Sequence, residues 1–264
     1  MRRFLLAVLL FAAAFRAVAT DYTDIWFNPL EQSIGGGGWG VNVVQSDAFL
    51  FLTFFVYGPD NKPTWYVAGL TPDGNGNFNG PLFATTGTYF GAPWNPADGA
   101  GSVQVGTASF QPTSAYMANL AYSITGGPSV VKAIQRQTLT SIALGGSYDG
   151  SQAGAYSNSN CNSSGAYHDR FGLGVSQVTG SSLTFTFIYE SGMTCTLSGS
   201  LQQLGQLYSV PNATYACSTG LSTSASMSEI KATNFGIEGS FSAPDVGGGC
   251  REGATFSAVF LPPI

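Results

Sequence analysis

Hydrophobic and polar residues alternate along most of this chain, and no window carries the period of an amphipathic helix. Extended apolar runs recur roughly every 8–15 residues and are separated by Gly-, Pro-, Asn- and Asp-rich turns, a pattern typical of short antiparallel strands. The sequence therefore predicts an all-β protein. In the first half the predicted strands are Ile25–Phe27, Gly40–Gln45, Ala48–Tyr57, Thr64–Leu70, Phe78–Thr85, Val103–Phe110, Met117–Thr125 and Val130–Gln137.

About eight strands joined by short turns fit an up-and-down β-barrel or a β-sandwich, and the pattern does not choose between them. Further strands begin near Ser141 and include the alternating run Leu183–Tyr189. We therefore expect two antiparallel β-barrel or β-sandwich domains in tandem, over residues 20–138 and 139–264.

The run Ala48–Tyr57 is apolar on both faces of the predicted strand. Alternation places Leu50, Leu52 and Phe54 on one face and Phe51 and Phe55 on the other. A strand buried on one side only has polar residues on its second face. We expect one face to fill a core and the other to be covered by a second domain, a loop or a membrane.

The first 19 residues match a signal peptide. Arg2 and Arg3 precede the uncharged apolar run Leu5–Phe15, and Ala17–Ala19 is a small-residue cleavage site. We expect residues 1–19 to be removed and the protein to be periplasmic or extracellular. No later stretch is long and apolar enough for a transmembrane helix.

Charge narrows the set of partners. The full chain has 9 basic and 14 acidic residues, and removal of Arg2, Arg3 and Arg16 with the signal peptide leaves a net charge of −8. Nucleic acids and anionic lipids bind clustered Lys and Arg, so neither is expected as a partner.

The cysteines predict disulfides. Cys161, Cys195, Cys217 and Cys250 form an even set in a chain expected to be exported. Four cysteines allow three pairings, and we favour Cys161–Cys195 with Cys217–Cys250 because each pair would join neighbouring hairpins. No Cys-x-x-Cys spacing or histidine cluster accompanies them, so neither a metal site nor a cofactor is expected.

An aromatic-Asn-Pro at 27–29, a Gly-Trp-Gly-x-Asn at 38–42 and a Lys-Pro-x-Trp-Tyr at 62–66 follow one another in the first half. This order resembles a pattern found in many exported proteobacterial proteins. The resemblance covers roughly residues 22–137 and implies secretion and a β domain, without an assigned chemistry. The stretch Gln32–Gly37 is longer than the pattern's, and Asn61 stands where the pattern has Gly. The matching positions are Trp26, Asn28, Pro29, Glu31, Gly38, Trp39, Gly40, Asn42, Lys62, Pro63, Trp65 and Tyr66.

Few residues suit catalysis. His168 is the single histidine, with Asp149 or Asp169 as a candidate orienting group, but no G-x-S-x-G nucleophile motif accompanies it. Asp24 and Glu31 form the best carboxylate pair for a glycosidase. An extracellular hydrolase therefore stands as an alternative, and an outer-membrane or surface-assembly β protein as another.

The leading hypothesis is a secreted or periplasmic non-catalytic binding module. Three indole rings and a phenol are interleaved with amide and carboxylate groups, which suits stacking and hydrogen bonding to a carbohydrate or small amphipathic ligand. We expect these side chains to converge at one end of the first domain; the alternative is that the rings seal its core. The predicted ligand residues are Trp26, Asn28, Glu31, Trp39, Asn42, Trp65 and Tyr66.

Overall fold

The computed structural model describes residues 20–31, 38–99, 101–158, 161, 165–178 and 182–263. The predicted signal peptide, residues 1–19, lies outside these described residues, as do Gly35–Gly37. Within them the chain forms two antiparallel β-barrels in tandem, which confirms the predicted all-β class and its tandem arrangement.

The first barrel, barrel 1, has eight strands in chain order, and pairing of the first with the last closes it. Closure decides for a barrel over a sandwich. Each predicted strand is present, with ends that differ by at most two residues. The strands are β1 (Asp24–Phe27), β2 (Gly40–Ser46), β3 (Phe49–Tyr57), β4 (Pro63–Pro72), β5 (Phe78–Thr86), β6 (Gly101–Pro112), β7 (Met117–Ile124) and β8 (Ser129–Arg136).

Large side chains fill the middle of barrel 1. Trp26, Phe54 and Phe110 are exposed by 1% or less. The Trp26 and Phe110 rings pack edge to face with centroids 5.1 Å apart. An eight-stranded barrel has an interior just wide enough for side chains to fill. The centre of barrel 1 is therefore a packed core.

The second barrel, barrel 2, closes because its fourth strand pairs with the sixth and its first with the last. The short fifth strand pairs with the sixth alone. No helix among the described residues is long and apolar enough to cross a membrane. The strands are β9 (Gly146–Ser157), β10 (Gly165–Val178), β11 (Ser182–Tyr189), β12 (Thr194–Ser200), β13 (Gln202–Leu204), β14 (Leu207–Cys217), β15 (Ser222–Thr233), β16 (Gly236–Ala243) and β17 (Arg251–Leu261).

All four cysteines form disulfides within barrel 2, but the pairing we favoured from the sequence is wrong. The bonds join Cys161 to Cys250 and Cys195 to Cys217. Cys195 and Cys217 lie opposite each other on β12 and β14. Cys161 follows β9 and Cys250 precedes β17, and these two strands pair. Barrel closure thus brings together cysteines that are not in neighbouring hairpins.

Barrel 1 contacts barrel 2 through one end, which we call the junction end. There the Asp24 carboxylate accepts a hydrogen bond from the Gln206 backbone N–H, with Oδ2 and N 3.0 Å apart. The Glu229 backbone N–H donates to the Tyr116 hydroxyl at 2.7 Å. The opposite end of barrel 1, the distal end, carries the β1–β2, β3–β4, β5–β6 and β7–β8 connections.

Candidate functional site

Three polar and aromatic side chains meet at the distal end of barrel 1. The Trp39 indole N–H donates to Glu31 Oε2 at 2.5 Å. Lys132 Nζ donates to both Glu31 carboxylate oxygens, at 2.6 and 2.9 Å, and lies 5.7 Å from the centroid of the Trp39 ring. We call Glu31, Trp39 and Lys132 the distal cluster.

Local structure fixes each member of the cluster. Trp39 directly precedes β2, which begins at Gly40. A Cβ at Gly40 would lie 3.3 Å from the Trp26 carbonyl oxygen, so glycine suits this close approach of the two strands. Glu31 ends a turn in which its backbone N–H donates to the Asn28 carbonyl at 3.1 Å. Lys132 lies on β8 at the inward parity shared with the buried Ile134.

The cluster is polar and partly open to solvent. The side chains of Glu31 and Lys132 keep 36% and 27% of their exposure. Hydrogen bonds from Lys132, and then from the Trp39 indole, hold the pKa of the Glu31 carboxyl below its usual range. Burial is the main factor that raises the pKa of the Tyr122 hydroxyl, which Lys132 partly offsets. The arrangement can bind a ligand through an aromatic ring, a carboxylate and an ammonium group.

The other predicted ligand residues occupy different environments. Trp26 is fully buried, with its indole N–H donating to the Tyr22 carbonyl at 3.0 Å, so it is a core residue and not a contact residue of this site. Tyr66 is half-buried against the core, at the inward parity of β4. Trp65, the preceding residue, faces outward and is 57% exposed.

The two predicted amides play local roles. The Asn28 side-chain oxygen accepts the Leu30 backbone N–H at 2.9 Å and so shapes the turn before Glu31. Asn42 is half-buried on the outer face of β2, opposite Thr53. Of the seven predicted residues, the structure therefore groups Glu31 and Trp39, places Tyr66 and Trp65 at the same end, and adds Lys132, which sequence reasoning missed.

The carboxylate pair suggested for a hydrolase is not assembled. Asp24 is 4% exposed at the junction end, where it forms an ion pair with Arg136 at 3.2 Å. Glu31 belongs to the distal cluster at the opposite end of the barrel. A glycosidase needs two carboxyl groups that flank one bond, on the order of 5–10 Å apart. These two carboxylates therefore do not form such a site.

The histidine has no suitable orienting carboxylate on its strand pair. His168 is exposed on β10 opposite Ala153 and lines a groove of about 840 Å³ that Asp21 and Arg136 of barrel 1 line as well. Asp169 is the next residue, so alternation directs it to the other face of the strand. Asp149 pairs with Gly172, four positions further along β10. Among the described residues no group of three or more His, Cys, Asp or Glu is arranged to hold a metal ion.

No protein-family model matches this chain, and no curated protein does. Two solved structures of transferrin binding protein B from Haemophilus parasuis Hp5 are similar to it, one with a single alanine substitution and one with two. They are 12% and 11% identical, with TM-scores of 0.33 and 0.34. The alignments cover 85% and 86% of this chain but only 53% and 61% of those chains.

Sequence reasoning also missed a buried polar cluster inside barrel 2. Glu252 is 6% exposed and accepts a hydrogen bond from the Tyr167 hydroxyl. The Tyr167 ring stacks on Tyr156, with centroids 5.0 Å apart. The signal was present, because Glu252 occurs two and four positions before Ala254 and Phe256 and shares their inward face.

Burial makes the acidic groups of this cluster harder to ionise. Burial raises the pKa of the Glu252 carboxyl above its usual range, against the opposing hydrogen bond from Tyr167. Burial also raises the pKa of the Tyr156 hydroxyl to about 12. A carboxyl whose pKa is raised on folding destabilises the fold when it is ionised. Its unfavourable contribution therefore falls as pH drops through the folded pKa, and disappears below the unfolded value of about 4.3.

Glu252→Gln should raise the free energy of unfolding at pH 7 by about 1–2 kcal/mol, because the amide oxygen can still accept from Tyr167 without a buried charge. Urea unfolding followed by far-ultraviolet circular dichroism measures this, and the gain should shrink at pH 5. Glu190→Gln, at a side chain that is 72% exposed, serves as the control. A Glu252→Gln protein less stable than wild type at pH 7 would contradict the prediction.

Proposed function

We propose that this protein is an exported, non-catalytic binding module that holds a carbohydrate or another small amphipathic ligand at the distal end of barrel 1. The observation that carries the proposal is the distal cluster, in which an indole, a carboxylate and an ammonium group meet at the end of the barrel away from barrel 2. Sugars and small amphipathic molecules bind by placing an apolar face on an aromatic ring while their hydroxyl groups form hydrogen bonds.

The geometry supports this ligand class in detail. Trp39 is half-buried, so part of its ring stays open while Lys132 lies over it. Glu31 and Lys132 are partly exposed, so each can exchange part of their mutual bonding for a ligand hydroxyl. Tyr66, half-buried at the inward parity of β4, adds aromatic surface at the same end. The packed core below sets a limit on depth, so the ligand would sit on the barrel end rather than deep inside.

Export is part of the proposal. Its support is the signal-peptide pattern of residues 1–19 together with the two disulfides of barrel 2. Disulfides form and persist mainly in oxidising compartments, which include the periplasm and the extracellular space. Membership of the exported proteobacterial family remains a proposal that rests on the motif around Gly38–Gly40.

Trp39→Ala should leave the protein folded and weaken ligand binding by about tenfold or more, because it removes the stacking surface. The wild-type protein is screened on a glycan array and titrated with alkyl glucosides, which join a sugar to an apolar chain. All four tryptophans, Trp26, Trp39, Trp65 and Trp94, belong to barrel 1. Quenching of tryptophan emission therefore reports on this barrel alone.

The matched control is Phe235→Ala, which removes an aromatic side chain that is 82% exposed on barrel 2. It should bind like wild type. If Trp39→Ala instead lowers the free energy of unfolding by about 3–5 kcal/mol, Trp39 is mainly a plug of the core. Absence of any wild-type binding in both screens would reject the proposed ligand class, and turnover of a bound glycan would reject the non-catalytic part.

A further inference from the structure

The outer side of barrel 1 carries an apolar surface separate from the distal cluster. On β3 the inward residues are buried or half-buried, whereas Phe51, Phe55 and Tyr57 point outward and are 43%, 54% and 52% exposed. Nothing in the described part of the chain covers them, although the sequence led us to expect a cover. We call the outward residues of β3 and its two neighbours the aromatic face: Val44, Phe49, Phe51, Phe55, Tyr57 and Trp65.

Strand pairing makes this face continuous. Phe55 lies opposite Trp65 on β4 and Gly40 on β2, and Phe51 lies opposite Val44. A Cβ on Gly69 would lie 2.9 Å from the Phe49 ring, so glycine lets that ring lie close over the sheet. The nine residues of β3 make the face about 27 Å long. The two flanking strands make it about 10 Å wide, so its area is on the order of 300 Å².

The face is uncharged. Between Gly40 and Gly99 the chain has five charged residues, and all lie outside the strands. The far side of barrel 1 carries outward hydroxyls, such as those of Thr107 and Ser123, which lie 3.1 Å apart. The exposed apolar residues on that side are aliphatic or thioether side chains, namely Val103, Met117 and Val131. The exposed aromatic side chains of the strands of barrel 1 are thus confined to one side of the barrel. The five charged residues are Asp47, Asp60, Lys62, Asp73 and Asp98.

More aromatic residues lie at the distal end. The β5–β6 connection carries Tyr89, Phe90 and Trp94, all three of which are exposed. Barrel 2, by contrast, has a single exposed aromatic side chain among its described residues, that of Phe235. Exposed aromatic side chains are therefore concentrated on barrel 1, on the aromatic face and the β5–β6 connection.

We propose that the aromatic face docks barrel 1 onto the surface of a lipid bilayer with uncharged or zwitterionic headgroups. Tyrosine and tryptophan favour the interface between headgroups and acyl chains, where Tyr57 and Trp65 would lie, and phenylalanine enters the apolar layer. The lack of Lys or Arg on the face and the expected net charge of −8 do not favour an anionic surface.

A second copy of the chain fits this face less well. A stable protein interface buries about 800 Å² on each partner, and the aromatic face supplies less than half of that. A bilayer needs no matching shape and accepts side chains that penetrate only a few ångströms. The area and the absence of charge therefore favour lipid as the occupant.

The test uses the protein purified after export and phosphatidylcholine vesicles. Wild type should float with the vesicles, and its tryptophan emission should shift to the blue. Binding should change little between low and high salt, because no ion pair carries it. The double variant Phe55→Thr with Trp65→Thr keeps strand-forming residues and should lower vesicle partitioning by about tenfold or more.

Ile188→Thr is the matched control, since Ile188 on barrel 2 is 55% exposed and Phe55 is 54% exposed. It should bind vesicles like wild type. No flotation of wild type, or binding only to anionic vesicles with strong salt dependence, would overturn the proposal. So would a dimer in analytical ultracentrifugation that the double variant abolishes, because the face would then be an interface between copies. Glycan binding by Trp39 is measured separately, so the two proposals can fail independently.

Discussion

Arg136→Met should lower the free energy of unfolding by about 3–5 kcal/mol, because it leaves a buried carboxylate without its partner. Arg136 is 1% exposed and lies 3.2 Å from Asp24. Its guanidinium also donates to the Ala115 carbonyl at 2.7 Å and the Thr23 carbonyl at 3.2 Å. The group stacks over Trp26 at 4.9 Å, so its loss disturbs the core as well.

Denaturant unfolding followed by tryptophan emission measures the effect, since Trp26 is the ring in contact with Arg136. The control is Lys62→Met on barrel 1, at an ion pair whose side chains are 81% and 60% exposed; it should cost at most about 1 kcal/mol. The double variant Asp24→Leu with Arg136→Met removes both charges and should recover part of the loss. A loss below about 1 kcal/mol for Arg136→Met alone would show that the pair contributes little.

Arg136→Met should also loosen the contact between the two barrels. Asp24 accepts the Gln206 backbone N–H across the junction. Gly205, with a φ of 64°, lies where a Cβ would come 2.1 Å from Asp24 Oδ2. Only glycine suits both that φ and that approach. The ion pair of barrel 1 therefore also holds the turn of barrel 2 that contacts it.

Removal of the Cys161–Cys250 disulfide should destabilise barrel 2 by about 2–5 kcal/mol and leave barrel 1 nearly unchanged. The bond joins residues 89 apart in sequence, and a longer closed loop restricts the unfolded chain more. The Cys195–Cys217 bond spans 22 residues and should contribute less, about 3.4 kcal/mol at most by the same relation.

The paired serine variants, Cys161→Ser with Cys250→Ser and Cys195→Ser with Cys217→Ser, separate the two bonds. Circular dichroism follows both barrels, whereas tryptophan emission follows barrel 1. The first variant should lower the circular-dichroism transition more than the second and leave the emission transition in place. Peptide mapping that found Cys161 joined to Cys195 would reject the pairing, and an equal loss in both transitions would show that the barrels unfold together.

The strands of barrel 1 could be predicted from the sequence because alternation is a local property of the β pleat. The run Ala48–Tyr57 also indicated that both faces of its strand are apolar, but we expected the second face to be covered, and the described residues leave it uncovered. The distal cluster could be predicted only in part. Glu31 and Trp39 lie eight residues apart, but Lys132 is 101 residues from Glu31, and barrel closure alone brings it there.

Trp26 and Trp39 show what the sequence by itself does not determine, which is the place of each side chain in the barrel. It determined the all-β class, the strands of barrel 1 and the presence of disulfides, because these follow from short-range periodicity and from the number of cysteines. The tertiary structure decided that Trp26 is a core residue and Trp39 a distal one, and how the cysteines pair. The physical reason is closure: the pairing of β1 with β8 and of β9 with β17 fixes which inward positions share a level along each barrel axis, and no local pattern contains that register.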